Sequence, residues 1–250
     1  MLCGAAGCAH TPPASHATQW TYPEDSSWGA ACAAAPPPQQ SPIDLTTVTT
    51  MPWTASAVVT QATFDSHDQN VVFQPSPGPS VSIMPGIGEK SRGFVYSVAA
   101  FHFHHRNEHV IAGRPVFEMH IKTKDQYGGA AVFAALWTPD PAAPEDATLA
   151  AVHRSLSAPP GSVAAVDVSR VLWTFGQQPF YSYVGSLTTP PCSPDIRWFV
   201  LQTPIRTAPA MLERLKDLLV ARGMPRDNVR TPRPIAKPQP VVYLVKPGAN

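Results

Sequence analysis

The chain of 250 residues has almost no charge excess, with 18 Lys and Arg against 17 Asp and Glu. No Lys/Arg run lies along a predicted helix, which argues against nucleic acid or an anionic membrane as a partner and leaves a small substrate as the expectation. Missing too is any stretch near the roughly 18 consecutive apolar residues that a membrane span needs, so the folded body is expected to be soluble. There is no internal repeat. The strand patterns lack the regular βα alternation of a doubly wound fold, which points away from a parallel sheet. Cysteine is sparse, at positions 3, 8, 32 and 192.

Met1 to Pro13 has neither the charged n-region nor the apolar h-region of a secretory signal. Yet Ala5-Ala6-Gly7-Cys8 resembles the end of a bacterial lipoprotein signal, whose Cys is cleaved and acylated. A lipid anchor at Cys8 is one expectation, and a plain Ala/Pro/Ser tail with two spare thiols is the other. Residues 1–18 are read as that tail or signal remnant, and residues 19–250 as one folded domain.

What the chain has in quantity is proline, 30 residues spread along its length, which suits many short strands joined by turns. Alternating apolar residues predict strands at Ala57–Phe64, Asn70–Phe73, Val81–Met84, Gly93–His104, Val116–Lys122, Ala130–Trp137, Phe180–Val184, Ile196–Leu201 and Val241–Val245. Helical spacing is confined to Glu145–Leu156 and Ala208–Ala221, where Met211, Leu212, Leu215, Leu218 and Leu219 form an apolar stripe that reads as core packing. The predicted class is mainly β (α+β): a single domain with a large, mostly antiparallel twisted sheet and short peripheral helices.

Five of the nine histidines fall between Phe101 and His120. His102 and His104 are two apart on a strand and share a face, while Phe101 and Phe103 point the other way. After Gly113 a second strand returns with Glu118, His120 and Lys122 on one face. Three neutral imidazoles, His102, His104 and His120, then converge on one ion. Three His with a fourth position left to water is a catalytic zinc arrangement, whereas structural zinc sites are closed and usually contain Cys. Taken singly, each histidine reads equally well as a satisfied core or surface residue. His105 and His109 lack the pairing of the other three and are read as structural or supporting.

These residues resemble the α-carbonic anhydrases, in particular their secreted and bacterial-type members. Phe101-His-Phe-His104, Glu108-His109 and Glu118-Met-His120 match the family's FHFH, EH and ExH blocks in order. Gln40-Ser-Pro-Ile-Asp44 resembles its QSPI signature, Gly185-Ser-Leu-Thr-Thr-Pro-Pro-Cys192 its GSLTTPPC segment, and Asn228-Val-Arg230 with Pro234 its closing NxRPxQP. The likeness runs from Trp20 to about Val245. It implies a zinc lyase that hydrates carbon dioxide reversibly to bicarbonate and a proton, with Zn2+ on the three histidines. Zinc on three imidazoles brings a bound water to a pKa of about 7, and the resulting hydroxide attacks carbon dioxide.

By the same resemblance, Thr188 accepts the hydroxide proton and donates to Glu108, Thr189 contacts bicarbonate or inhibitors, and Glu118 orients His120. The run Ser66-His-Asp-Gln-Asn-Val-Val-Phe73 resembles the family's GHAFNVEF stretch, which makes His67 the proton shuttle and Asn70 part of the water network; a His with a pKa near 6.5 suits that task. On its own, His67 is an ordinary surface histidine. Tyr22 matches the tyrosine that helps order those waters. Val132, Leu187, Ile196 and Trp198 match the apolar wall beside carbon dioxide, with core packing as their plainer role. Cys32 and Cys192 match the disulfide of secreted and bacterial members, whose loop of roughly 160 residues gives a chain-entropy ceiling of about 5 kcal/mol. That bridge implies a periplasm or extracellular space. Cis bonds at Ser41-Pro42 and Pro190-Pro191, inhibition by sulfonamides and anions, and a homodimer are further expectations of this kind.

The pattern also departs from the family. Ala100 stands where a Gln usually supports the first zinc His, Thr231 replaces a Pro, His105 replaces an aromatic or small residue, and the His104-to-His120 spacing is one residue short. Lys122 replaces an apolar residue on the carbon dioxide side. Two other readings compete with an active lyase: a catalytically weak binding module on the same fold, and a zinc esterase using the same site.

Overall fold

The computed structural model describes residues 20–23, 28–29, 32, 39–59, 63–64, 80–85, 94–158 and 166–248, with the backbone alone for 54–59, 63–64 and 80–85. Its strands are β1 (Thr50–Val59), β2 (Thr63–Phe64), β3 (Ser80–Pro85), β4 (Phe94–His104), β5 (Phe117–Asp125), β6 (Ala130–Pro139), β7 (Val166–Asp167), β8 (Phe180–Gly185), β9 (Ile196–Leu201), β10 (Ile205–Thr207) and β11 (Val242–Pro247). The helices are α1 (Ala147–Ser157), α2 (Ser169–Thr174) and α3 (Pro209–Ala221). No described helix is long and apolar enough to cross a membrane.

Nine strands make one sheet in the order β10-β6-β5-β4-β3-β1-β11-β8-β9, and a further pairing of β6 with β9 links the two ends of that order. The sheet is mixed. β1–β11, β6–β10 and β6–β9 are parallel, and the other neighbours are antiparallel. The predicted class holds.

Strand boundaries follow pairing more than local pattern. β1 begins at Thr50, seven residues before the predicted start, because Thr50–Ala55 pairs with β11 at the far end of the chain. The predicted strand Ala57–Phe64 is divided between β1 and β2, and the predicted strand Asn70–Phe73 lies outside the described residues. α1 starts two residues after its predicted Glu145 because Asp146 caps it, Oδ1 accepting from Leu149 N at 2.9 Å. α3 starts at Pro209, whose missing N–H costs nothing in a first turn. Its stripe buries Met211, Leu212, Leu215 and Leu219 as read from the spacing, while Leu218 is only half-buried and Lys216 is buried beside them.

Alternation along the strands sorts side chains onto two faces. On one face Phe101, Phe103, Phe117, Met119, Ile121, Phe133, Trp137 and Phe199 pack against α1 and α3 through Leu149, Val152, Leu212, Leu215 and Leu219. Each fully buried residue of this size contributes about 1.5–3 kcal/mol through burial. On the other face Val132, Ala134, Leu136, Tyr183, Ile196, Trp198 and Val200 form a second, smaller cluster. The histidines lie on this face.

Candidate metal centre

Antiparallel β4 and β5 set His102 opposite His120 and His104 opposite Glu118, and directly opposed residues share a face. His120 in turn opposes Ala134 on β6, and its ring packs on Trp198 with centroids 4.8 Å apart. The result is a three-imidazole cluster. His102 Nε2 is 3.2 Å from His104 Nε2, which is 3.1 Å from His120 Nδ1. The outer nitrogens of two of the rings are held from behind. His104 Nδ1 meets the Asn228 carbonyl at 2.6 Å, and His120 Nε2 meets Glu118 Oε1 at 2.7 Å. Since a carbonyl or a carboxylate can only accept, both outer nitrogens carry the proton and both inner nitrogens keep their lone pairs.

His102 differs. Among the described residues nothing accepts from its Nδ1, and Ala100, two residues before it on the same face, has only a methyl group there. Ala100, standing where the resemblance expects a Gln, thus gives His102 no polar side chain from that position.

Burial keeps the three rings neutral. It pushes His102 well below the ordinary imidazole range, with the charges of His104, His120 and Lys122 adding to the effect. It takes His104 down to about 3, and it lowers His120 against the opposing pull of Glu118. For Glu118, burial works upward but His109 and His120 outweigh it, so its carboxyl is held well below the usual range. Glu118 is fully satisfied: Oε1 faces His109 Nδ1 and His120 Nε2 at 2.7 Å each, and Oε2 accepts from the Glu108 and His109 amides at 2.6 and 2.9 Å.

Glu108 has the opposite environment. Burial, then the charge of Glu118, push its carboxyl well above the usual range, while the Thr188 hydroxyl beside it works the other way. Oε1 accepts from Arg230 N at 2.7 Å. Oε2 is buried and completes no hydrogen bond of good geometry, lying 3.4 Å from His104 Nε2 and 3.8 Å from His120 Nδ1. An orphaned carboxylate oxygen beside three inward imidazole nitrogens, two of them with their lone pairs fixed inward, is an arrangement a cation satisfies, since leaving such an acceptor unpaired costs about 1–3 kcal/mol. The donor set fits zinc.

A buried relay ties this cluster to the loop that carries Thr188. His109 Nε2 meets Tyr183 Oη at 2.8 Å, Tyr183 Oη meets Ser41 Oγ at 2.8 Å, and Ser41 N donates to Ser186 Oγ at 2.9 Å. Trp198 Nε1 donates to Ser186 O at 2.9 Å, and Arg230 Nη1 donates to Ser41 O at 2.7 Å. Gly185 is required here because a Cβ would run into Ser41 Oγ and the Tyr183 ring. The cis Ser41-Pro42 and Pro190-Pro191 bonds are present, as is the Cys32–Cys192 disulfide, which closes 160 residues of sequence next to Thr188.

The remaining expected residues fall around this frame. Val132, Ile196 and Trp198 are buried in the cluster beneath the imidazoles, with Leu187 packed on it and Thr189 partly exposed in the same loop as Thr188. Tyr22 packs against Trp20 and Trp28, and its hydroxyl is pushed up by burial and by the nearby charge of Glu108. His67 and Asn70 lie outside the described residues. Asn228, Arg230, Tyr183 and Ser41 were not singled out as site residues from sequence. Asn228 and Arg230 sit in the quoted NxR block, and Ser41 in the QSPI block, so the signal was there without the role.

Comparison with known proteins agrees with this geometry. The family description "Eukaryotic-type carbonic anhydrase" matches residues 23–241. The chain belongs to the carbonic anhydrase family. A carbonic anhydrase of Nostoc sp. is 28% identical over 149 residues, 58% of this chain and 55% of that protein. Carbonic anhydrase 6 of Mus musculus is 27% identical over 231 residues, 80% of this chain and 73% of that one. The chain thus spans a little over half of the Nostoc relative's length. The solved α-carbonic anhydrase of Thermovibrio ammonificans, in complex with the inhibitor sulfanilamide, shares the fold with a TM-score of 0.60 at 24% identity, covering 92% of this chain and 99% of that one.

Proposed function

We propose that this chain is a zinc-dependent carbonic anhydrase that hydrates carbon dioxide reversibly to bicarbonate and a proton. The observation that carries the reading is the convergence of three imidazoles, with His104 Nε2 lying 3.2 Å from His102 Nε2 and 3.1 Å from His120 Nδ1, and two of the rings held in the right tautomer from behind. These three residues would hold zinc, which when bound supplies the Lewis acidity that makes water a nucleophile near neutral pH.

The chain's own residues do the rest. With a cation held among the imidazoles, Glu108 would be ionised, because opposite charge offsets the effect of burial. Ionised Glu108, anchored by Arg230 N, accepts from the Thr188 hydroxyl. Thr188 then has its lone pairs left for the O–H of the attacking group, which turns that group's electrons toward carbon dioxide. Val132, Leu187, Ile196 and Trp198 wall the space that carbon dioxide occupies, and Thr189 contacts the product. His67 exports the proton, with Asn70 and Tyr22 ordering the waters. Replacing His67 by Ala lowers turnover in dilute buffer, and added imidazole restores it; no rescue would rule out the shuttle.

We take residues 19–250 as the catalytic domain, with 1–18 as a tail. The disulfide supports an oxidising compartment, periplasmic or extracellular. Cys8 lies outside the described residues, and its acylation and a homodimer stay proposals that follow from resemblance. Sulfonamides and small anions are proposed as inhibitors. Stopped-flow carbon dioxide hydration, with and without a chelator and beside an activated ester, tests the reading. Chelator-sensitive hydration supports it, ester cleavage alone would mark a zinc esterase, and neither activity would mark a binding module.

A further inference from the structure

Two of the sequence departures meet in space. Lys122 lies directly opposite Ala100 on β4 and opposite Val132 on β6, two residues beyond His120 and on the same face. Val132 is buried, Ala100 is 5% exposed, and Lys122 is exposed. Its charge acts on His102. Among the described residues no carboxylate pairs with it. An exposed ammonium without a carboxylate partner among the described residues thus stands on the face that carries the three imidazoles. Ala100 presents only a methyl group across from it, and cross-strand neighbours have their Cβ atoms about 4.5–5.5 Å apart, so Lys122 has no polar side chain facing it from β4.

We propose that Lys122, with Ala100 across from it, forms an anion subsite beside His102 that holds the oxygens of bicarbonate and other small anions. This rests on the proposed function. The neutral reactant, carbon dioxide, gains little from the ammonium, whereas the product is an anion and gains a charge-assisted hydrogen bond. Equilibrium fixes the ratio of kcat/KM in the two directions, so Lys122 cannot favour one direction over the other. What it changes is retention of the anion: bicarbonate saturates the site at lower concentration and leaves more slowly, and small anions compete better.

The test uses the cobalt-substituted protein, with its visible absorption titrated by bicarbonate, by thiocyanate and by neutral imidazole in the parent, Lys122→Met and Lys122→Arg. The expected result is a Kd for both anions raised about threefold to fivefold in Lys122→Met, the range an exposed charge contact gives. Lys122→Arg keeps the parent's values, and imidazole binds all three alike. Equal anion affinity in parent and Lys122→Met would overturn the subsite alone, as would an equal loss for imidazole, which would mean altered packing rather than charge. If the parent takes up no cobalt at its histidines, the metal centre fails, and the subsite with it.

Discussion

On β4 and β5, Phe101, Phe103, Phe117 and Met119 go to one side of the sheet, and His102, His104, Glu118 and His120 go to the other. The two sides are equally dry: apart from the partly exposed His102, all of these residues are buried. They differ in what burial asks of them. An apolar ring needs volume and contact, and neighbouring rings can shift to share a loss. A buried polar group needs a particular partner at a particular atom, and Glu118 has four. Stability is spread over one face, while chemistry is concentrated in single contacts on the other. A slip of one residue between β4 and β5 would exchange the faces and lose both.

The largest effect is expected from His104→Ala. It removes one of three inward nitrogens and the contact to the Asn228 carbonyl, so zinc per chain should fall far below one and hydration by about a thousandfold or more. Full zinc content by elemental analysis would remove His104 from the centre. One residue away, Phe103→Ala should cost about 3–5 kcal/mol in chemical denaturation because its ring is buried and stacked on Phe117. Zinc per folded chain and kcat should stay at parental values. If zinc affinity fell as far as stability, the two faces would not be separable.

Acid should distinguish the faces as well. In chelated protein the three imidazoles have folded pKa values below 6.5, with His104 at about 3. The unfolded chain therefore binds protons below pH 6.5 that the folded chain refuses. Stability is present above that pH and is lost as pH falls, by at most about 1.4 kcal/mol per pH unit for each ring. Glu118, held low, adds a loss in the same direction below its ordinary range, and Glu108, held high, partly opposes it. Denaturation midpoints of the chelated protein should fall from pH 7 to pH 5, while the cost of Phe103→Ala stays constant. A flat profile would mean that the rings are not buried neutral.

Glu118→Gln keeps the volume and removes the charge. It should weaken zinc binding by about 10–100-fold in competition with a chelator, the usual cost of losing a partner behind a ligand. It should also unsettle His109, which shares the same oxygen, and unchanged affinity would remove Glu118 from its proposed role.

Much of this was legible in advance where strands carry their own alternation. Phe101-His-Phe-His104 and Phe117-Glu-Met-His120 each state a period of two with opposite character on alternate residues, and the two faces follow. β1 was misjudged because Thr50–Trp53 alternates poorly and is held by β11, almost two hundred residues later. α2 has six residues and β7 two, both too short for any period to register. The relay through His109, Tyr183, Ser41 and Ser186 was hidden for a different reason. It joins three distant segments through single polar atoms, and no spacing in a sequence encodes such a meeting.

The smallest predicted effect compares the ligands with one another. His104 and His120 have their outer nitrogens held, and His102 has a methyl group where an acceptor would sit. A held outer N–H fixes the tautomer and the ring plane before the metal arrives and raises the basicity of the inner nitrogen. His102 therefore pays for ordering at binding, and it is the ligand with room for improvement. Ala100→Gln places an amide two residues before His102 on the same face, within reach of its Nδ1. Its carbonyl would accept the Nδ1 proton. Because His102 is partly exposed, the gain should be smaller than the loss at Glu118: zinc affinity should rise several-fold, below the roughly 10–100-fold that such partners usually contribute. The same side chain also stands directly across from Lys122 and offers its ammonium an amide oxygen, so anion affinity should fall as zinc affinity rises. Chelator competition and thiocyanate titration of one variant read both. If both affinities are unchanged, the new side chain has turned to solvent, and Ala100 is not what leaves His102 unsupported.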